Sequence, residues 1–394
     1  MQNVLILITF RLNSWLKENG FWFAFAFFVI LYASCQKKES AVVLQNLRNE
    51  NAEFAKGFSI GVCDSFQVVS VLKPWQDEKK LQFTYVLHPE PYRSPDKNTE
   101  WHVRVPVRKV VCMSTTHLAF LEAIGESGSV CALSGASFVC NPELRQKIEN
   151  KQIVDIGYEG NLDYESIILL KPDLVFMYGV NPSAMSIAER LLQLGVKPVF
   201  VGEYLESHPL AKTEWIKFFA SFFGKQALSD SIFAMVKSQY EAYCKIVPVN
   251  STKPSVLTGY PWKDVWYISG GNTYLAKLIE DAGGNYIFKQ VQADVWPASL
   301  ENVFVKASHV DIWINTGEAK SLNQLVAPDE RLRMFQPYIN HKVYNNTRQL
   351  NALGGNNYWE KGIMEPHLIL FDLIRIFHPG ISNDTIWHYY LELK

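Results

Sequence analysis

The sequence predicts an α/β protein of two lobes, each with a parallel-rich sheet covered by helices. One long interlobe helix joins the lobes, and a β segment precedes them. Two observations carry this reading. Residues 210–247 contain no proline and are flanked on both sides by alternating strand and helix patterns of similar length. The two halves also echo each other. Leu162-Asp-Tyr-Glu165 opens a helix that runs into a strand beginning at Asp173, and Ser299-Leu-Glu301 opens one that runs into a strand beginning at Asp311. A glutamate near a helix start is favoured by the dipole, so one instance means little. Two at matching places in two halves mean more.

The chain opens with a signal-like segment, residues 1–35. Residues 21–32 are uncharged and apolar, too short a run to span a bilayer as a stable helix. Arg11 and Lys17 precede the run, and Ala33-Ser34-Cys35 follows it. That layout is a secretory signal with small residues before the cut, and it resembles a bacterial lipoprotein signal with Cys35 as the lipidated residue. Tyr32 departs from the usual aliphatic residue. A signal anchor is the alternative. Residues 36–52 are polar and read as a tether.

Residues 53–105 form the β segment. Phe58 to Val62 and Gln67 to Leu72 read as strands, and Leu81 to Leu87 alternates as a half-buried antiparallel strand does. Residues 106–209 are the N-terminal lobe. It starts with a short apolar strand from Lys109, then Ser114, Thr115 and Thr116 offer caps to a helix ending at Gly125. Further strands are expected at 130–133, 152–155, 173–178 and 197–201, with helices at 163–171 and 183–194. Residues 210–248 are the interlobe helices. Ala211 to Phe223 is aromatic-rich and ends at Gly224. From Gln226 to Ile246 the apolar set Leu228, Ile232, Val236, Tyr240 and Tyr243 recurs at helical spacing. That second segment would be a rod of roughly 30 Å. Helical periodicity alone says only core, so an ordinary core helix of one α/β domain is the alternative.

Residues 249–394 are the C-terminal lobe. Strands are expected at 255–258, 265–268, 310–314 and 342–344. Helices are expected with Asn272 as cap and Gly283-Gly284 as end, from Ser299 or Leu300 to Ala307, and from Glu365 to Phe377. Gly-Gly-Asn occurs at 270, 283 and 354. These read as helix-boundary turns, with close backbone approach to a ligand at 354–356 as the alternative.

Composition narrows the function. The 394 residues are 48% hydrophobic with a net charge of −1, so neither disorder nor a polyanion-binding surface is indicated, and no nucleic-acid partner is expected. Aromatics make up 13%, with 11 Trp and 18 Tyr, which suits pockets for large flat ligands as well as core packing. Beyond Cys35, Cys63, Cys112, Cys131, Cys140 and Cys244 form neither a disulfide framework nor a CxxC metal site. Cys131 and Cys140 could pair, or both stay as thiols. No GxSxG, P-loop, HExxH or strand-borne GxGxxG occurs, and nothing pairs Asp155 and Glu159 for acid–base work, so no enzyme is expected.

From about Arg108 to Pro379 the chain resembles the substrate-binding proteins of bacterial importers for iron–siderophore complexes, haem and vitamin B12. The carriers are Lys109-Val-Val-Cys-Met-Ser with Leu121-Glu-Ala-Ile-Gly, then Tyr164-Glu165-Ser-Ile-Ile-Leu-Leu-Lys-Pro-Asp-Leu-Val, the long interlobe helix, and Trp296-Pro-Ala-Ser-Leu-Glu301. The resemblance implies a rigid interlobe helix, a ligand cleft between lobes, and delivery to a dimeric ATP-driven permease docked through Glu165 and Glu301. It implies a metal chelate, most often a ferric siderophore, with haem or a corrinoid as alternatives. No resident cofactor or protein-held metal is expected, nor an oligomer. The protein would be lipid-anchored to a bacterial membrane, facing the periplasm. A chelate-modifying enzyme and a surface capture lipoprotein without a permease are the other readings.

The cleft should lie where βα loops converge at the carboxyl ends of the strands. Those loops carry Tyr158 and Tyr178 in the first lobe, and Tyr260, Trp262, Trp296, Arg348, Tyr358 and Trp359 in the second. Aromatic faces with one cation suit a bulky chelate. Similarity to the vitamin B12-binding member singles out Trp296. His117, in the first βα turn, is a candidate ligand to haem iron or cobalt, although a lone histidine is usually structural.

Overall fold

Both lobes build their sheets on short apolar strands, because strands covered on both faces have no reason to alternate with polar residues. In the first lobe the order across the sheet is Pro198–Phe200, Leu174–Met177, Val110–Cys112, Val130–Leu133 and Val154–Asp155, all parallel. In the second it is Asn285–Tyr286, Ser255–Thr258, Ile312–Ile314, Val343–Asn345 and Leu391–Glu392. The last of these is antiparallel and the rest are parallel. This computed structural model describes residues 48–50, 52–63, 65–76, 81–89, 101–180, 182–248 and 252–394. The signal segment, Cys35 and residues 36–47 and 51 of the tether lie outside the described residues. Apart from Arg48, the described residues belong to one compact unit.

The internal echo is visible in the sheets. Each has a first strand (Val110–Cys112 or Ser255–Thr258) paired with the strand that follows the glutamate helix (Leu174–Met177 or Ile312–Ile314). The aspartate opening that second strand accepts hydrogen bonds from the start of the first. Asp173 accepts from the Arg108 and Lys109 N–H groups at 2.7 and 2.9 Å, and Asp311 accepts from the Ser255 N–H and Oγ–H, each at 2.7 Å.

Between the lobes stand three helices rather than the expected two. Pro209–Glu214 and Ile216–Phe223 meet at Trp215, and Gln226–Ile246 follows after Gly224, whose φ of 67° only glycine adopts without cost. The aromatic stretch 215–223 is core. Phe219 stacks on Phe120 and lies against Phe176, both at 4.7 Å between ring centroids. The buried stripe of the long helix is Ser229, Phe233, Val236 and Tyr240, with Leu228 exposed. The sequence stripe was therefore displaced by one position at its start, because Ser229 and Phe233 face the interior while Leu228 is turned outward. Tyr243 stacks on Phe371 of the Pro366–Phe377 helix at 4.6 Å, and Tyr240 Oη donates to Asp281 at 2.8 Å. The long helix is thus fastened to the second lobe along its C-terminal half.

The N-terminal β segment is built into the same unit. Its strands Phe58–Cys63, Phe66–Val71 and Phe83–His88 are antiparallel neighbours, and His102–Arg104 adds a parallel edge. Phe83 stacks on Phe200 at 4.3 Å, and Tyr85 Oη accepts from the Phe200 N–H at 2.8 Å. Phe58 packs on Trp215 at 4.9 Å. The segment therefore covers the outer edge of the first sheet and shields that edge from pairing with another chain.

The remaining differences are local. Thr273, not Asn272, caps the helix Tyr274–Asp281 by accepting from the Ala276 N–H. The helix Pro142–Glu149 was not expected, since Arg145, Gln146 and Lys147 interrupt its apolar pattern. The five cysteines among the described residues are free thiols. Cys131 Sγ–H donates to the Val110 carbonyl and Cys140 Sγ–H to the Phe138 carbonyl, so each is satisfied locally without a disulfide.

Candidate functional site

A parallel sheet carries its βα loops at the carboxyl ends of the strands, and both lobes place polar residues there. Three buried oxygens without a partner among the described residues stand just beyond strand ends: Glu203 Oε2 in the first lobe, and Thr316 Oγ1 and Thr347 Oγ1 in the second. They follow Pro198–Phe200, Ile312–Ile314 and Val343–Asn345 by two or three residues. A buried polar atom left unpaired costs about 1–3 kcal/mol, so such atoms mark places where a further partner is stabilising. Glu203 is anchored through its other oxygen, which accepts from Thr116 Oγ1 at 2.7 Å. Lys212 approaches from the linker, donating to the Tyr204 carbonyl at 3.1 Å with its ammonium 4.9 Å from the centre of the Tyr274 ring. Burial lowers the Lys212 pKa, opposed by Glu203 and Glu206.

The lobes meet directly at one edge. Glu360 of the second lobe is buried and accepts from the Cys140 and Asn141 N–H groups of the first, at 2.9 and 3.2 Å. Asn351 Nδ2 donates to the Val139 carbonyl at 3.0 Å. A Cβ on Gly355 would lie 2.0 Å from the Phe138 carbonyl oxygen, so only glycine fits. The close backbone approach at 354–356 is thus to the other lobe. Asn141 also caps the Pro142–Glu149 helix, so the Glu360 carboxylate sits on backbone donors at a helix start.

The sequence candidates fall into separate groups. Tyr158 is about half exposed and lies 6.4 Å from Phe138, at the edge where the lobes touch. Tyr178 follows Leu174–Met177 and is half-buried near Tyr204. Tyr260 is half-buried and donates to the Leu325 carbonyl at 3.1 Å. Trp262 is exposed on a hairpin turned by Lys263 and Asp264, both at positive φ, with the Lys263 ammonium 4.4 Å from its ring. Trp296 lies between Phe288 and Lys306, 5.0 Å from the Lys306 ammonium, in a cavity of about 780 Å³ lined only by second-lobe residues. Arg348 and Trp359 are exposed. No ring contact joins Trp262 or Trp296 to Tyr158 among the described residues.

Two candidates need correction. His117 is fully buried in the first turn of its helix, 5.6 Å from Phe219 and 6.3 Å from Phe176. Burial lowers its pKa to about 4, against the opposing pull of Glu203 and the Phe176 carbonyl, so it is a neutral core imidazole rather than a displayed metal ligand. Tyr358 is also buried, packed edge-on against Trp359, Tyr389 and Tyr390, and does not present its ring at a surface. Sequence reading missed Glu203, Glu360, Asn351 and Phe138. None lies in a periodic pattern or motif; sheet topology brings Glu203 to a strand end, and the contact between the lobes brings Glu360, Asn351 and Phe138 together.

A second cavity, of about 580 Å³, is rimmed by Lys56, His208, Lys253, Lys277 and Lys289. Lys253 and Asn285 place it by the amino ends of the second-lobe strands, away from the βα loops. Among the described residues no group of three or more His, Cys, Asp or Glu side chains could hold a metal ion.

Residues 110–350, more than half of the chain, match the family model described as "Periplasmic binding protein". The chain belongs to that family. Among relatives, an uncharacterized lipoprotein of Methanocaldococcus jannaschii is 26% identical over 302 residues, 74% of this chain and 70% of the relative. Among solved structures, this periplasmic binding protein is similar to a possible iron-binding periplasmic solute-binding protein of Staphylococcus epidermidis. The TM-score is 0.55 at 16% identity, covering 69% of this chain and 99% of that one. It is also similar to a periplasmic haem-binding protein of Pseudomonas aeruginosa, with a TM-score of 0.53 at 16% identity, covering 70% and 94% of the two chains. These likenesses establish the fold of a periplasmic binding protein, two α/β lobes with parallel-rich sheets. Among the described residues no helix is long and apolar enough to cross a membrane.

The Glu360 contact generates a pH prediction. Burial raises its pKa to about 7, with the nearby Glu122 carboxylate adding to the rise and the two backbone N–H groups opposing it. A carboxyl raised in the folded state contributes stability below its unfolded pKa and loses it as pH rises through the folded value. The melting temperature of the wild type relative to Glu360→Gln should therefore fall between about pH 4.5 and 7 and level off above, measured by circular dichroism.

Proposed function

We propose that the protein is a membrane-tethered solute-binding protein that captures a metal chelate, a ferric siderophore, between its lobes. It delivers that ligand to an ATP-driven permease. The observation that carries this reading is the periplasmic binding protein match over residues 110–350 on a structure of two parallel-sheet lobes, with the buried oxygens Glu203 Oε2, Thr316 Oγ1 and Thr347 Oγ1 unpartnered just beyond their strand ends. Fixed polar groups at converging loops orient a ligand, and aromatic surface nearby supplies apolar area. The lipoprotein relative and the signal-like layout ending at Cys35 support a lipid anchor there, and the periplasmic binding protein family supports placing it on the periplasmic side of a bacterial membrane. Binding rather than catalysis fits the family and the solved neighbours.

Tyr158, Tyr178, Tyr260, Trp262, Trp296, Arg348 and Trp359 remain the side chains proposed to contact the chelate. If Trp296 packs on it, Trp296→Ala weakens binding of a ferric siderophore by about 2 kcal/mol, roughly 30-fold in Kd. Fluorescence titration reads this directly, and unchanged affinity in a folded variant returns Trp296 to a packing role.

Glu165 and Glu301 are the proposed permease contacts. Both are exposed at the second position of helices that start on the carboxyl side of their sheets. Glu165→Arg and Glu301→Arg are expected to fold, to bind ligand as the wild type does, and to lower iron uptake about tenfold or more, because each would put like charges face to face. Wild-type uptake by the double variant would reduce both glutamates to helix starts.

A further inference from the structure

The two glutamate helices share more than their acids. Asp163 caps Tyr164–Leu170 by accepting from the Ser166 N–H at 3.0 Å, and Ser299 caps Leu300–Ala307 by accepting from the Asn302 N–H at 3.3 Å. Counted from the cap, the glutamate is second in each. The fourth residue, Ile167 or Val303, is fully buried. The sixth residue is Leu169 in the first lobe and Val305 in the second. These are 73% and 82% exposed, the two most exposed large apolar side chains among the described residues. A lone exposed leucine means nothing. The same apolar residue left in solvent at the same register of both lobes is a different observation.

A residue four positions after a glutamate lies on the same helix face, with Cβ atoms about 5–6 Å apart. Each lobe therefore offers one carboxylate with an apolar knob one turn further along. In the first lobe Ile168, 40% exposed, widens the knob, and Glu165 makes no ion pair among the described residues. In the second lobe Glu301 is held by Arg331 at 2.6 Å, and Arg331 is itself held by Asp329 at 2.7 Å, so Arg331 keeps a partner when Glu301 is taken by another cation.

We propose that Leu169 and Val305 are paired hydrophobic anchors for the permease. Each inserts into an apolar recess that lies beside a basic residue on one half of a two-fold membrane protein. This rests on the permease reading of Glu165 and Glu301 and adds what the charges lack. Exposed ion pairs orient an encounter but bind weakly, whereas apolar side chains buried at the centre of a contact hold it. Two equal knobs with two equal acids fit a partner whose halves are alike, and a second copy of this chain would present acids against acids.

The test uses full-length protein in the producing cell. Leu169→Ser, Val305→Ser and the double variant are compared with Glu165→Arg for radioactive iron uptake, and a photoreactive phenylalanine analogue at 169 or 305 reports the neighbour. The double serine variant should fold, capture ferric siderophore normally and lower uptake about tenfold or more. Both photoreactive positions should cross-link to the same multi-spanning membrane chain. Wild-type uptake by the serine variant while Glu165→Arg abolishes uptake overturns the anchors and leaves the permease reading standing. Wild-type uptake by both overturns both. Cross-links to a second copy of this chain overturn the proposal in favour of self-association.

Discussion

Carboxylates that accept backbone N–H bonds close the long-range junctions of this protein. Glu214 takes the amides of Glu53, Phe54 and Ala55, and Glu206 those of Lys56 and Gly57 together with the Trp215 indole. Asp372 takes His388, Tyr389 and Tyr390, holding the C-terminal stretch against its helix. Glu360 ties lobe to lobe, and Asp173 and Asp311 register paired strands. Hydrogen bonds to a charged group contribute about 1.5–3 kcal/mol each, whereas a buried carboxylate without them is strongly destabilising; at Glu360 and Asp372 burial outweighs the N–H bonds and raises the pKa. The contacts therefore hold or fail as units. The N-terminal β segment, the linker and the first lobe are fastened by two such residues eight positions apart in one linker stretch.

This distribution explains how much of the fold was legible. Strands such as Val110–Cys112 and Ser255–Thr258, and capped helices such as Thr115–Ala123, declare themselves through local apolar runs, caps and glycines. The long helix Gln226–Ile246 was readable to the residue at both ends because Gly224 and Pro248 bound it. The helix Pro142–Glu149, the edge strand Leu391–Glu392 and the strands 261–262 and 295–299 that flank the expected strand at 265–268 were not. Their patterns are short or polar, and their partners lie far away in sequence. A carboxylate tie has no periodic signature, so Glu206, Glu214 and Glu360 read as ordinary acids until the backbone they hold comes near.

At the proposed site the strand topology was legible and the packing of the individual side chains was not. Parallel topology alone directs attention to the carboxyl ends of the strands, and Glu203, Thr316 and Thr347 stand there. Aromatic residues chosen by loop position sorted themselves by packing instead. Tyr158 is displayed, Tyr358 is enclosed, and Trp296 belongs to a cavity of one lobe. His117 follows the same logic. A histidine in an apolar first turn is drawn into the core because Phe176 and Phe219 complete it, and burial then keeps it neutral.

The central claim is capture of a metal chelate. Its most direct test is the absorption spectrum of protein released intact from membranes of iron-starved cells supplied with their own siderophore, with native mass of the same sample. The account predicts one ferric chelate per chain, with its visible band and mass increment. Folded protein that retains no metal-bearing ligand, and takes up neither ferric siderophore, haem nor corrinoid when each is added, would contradict it.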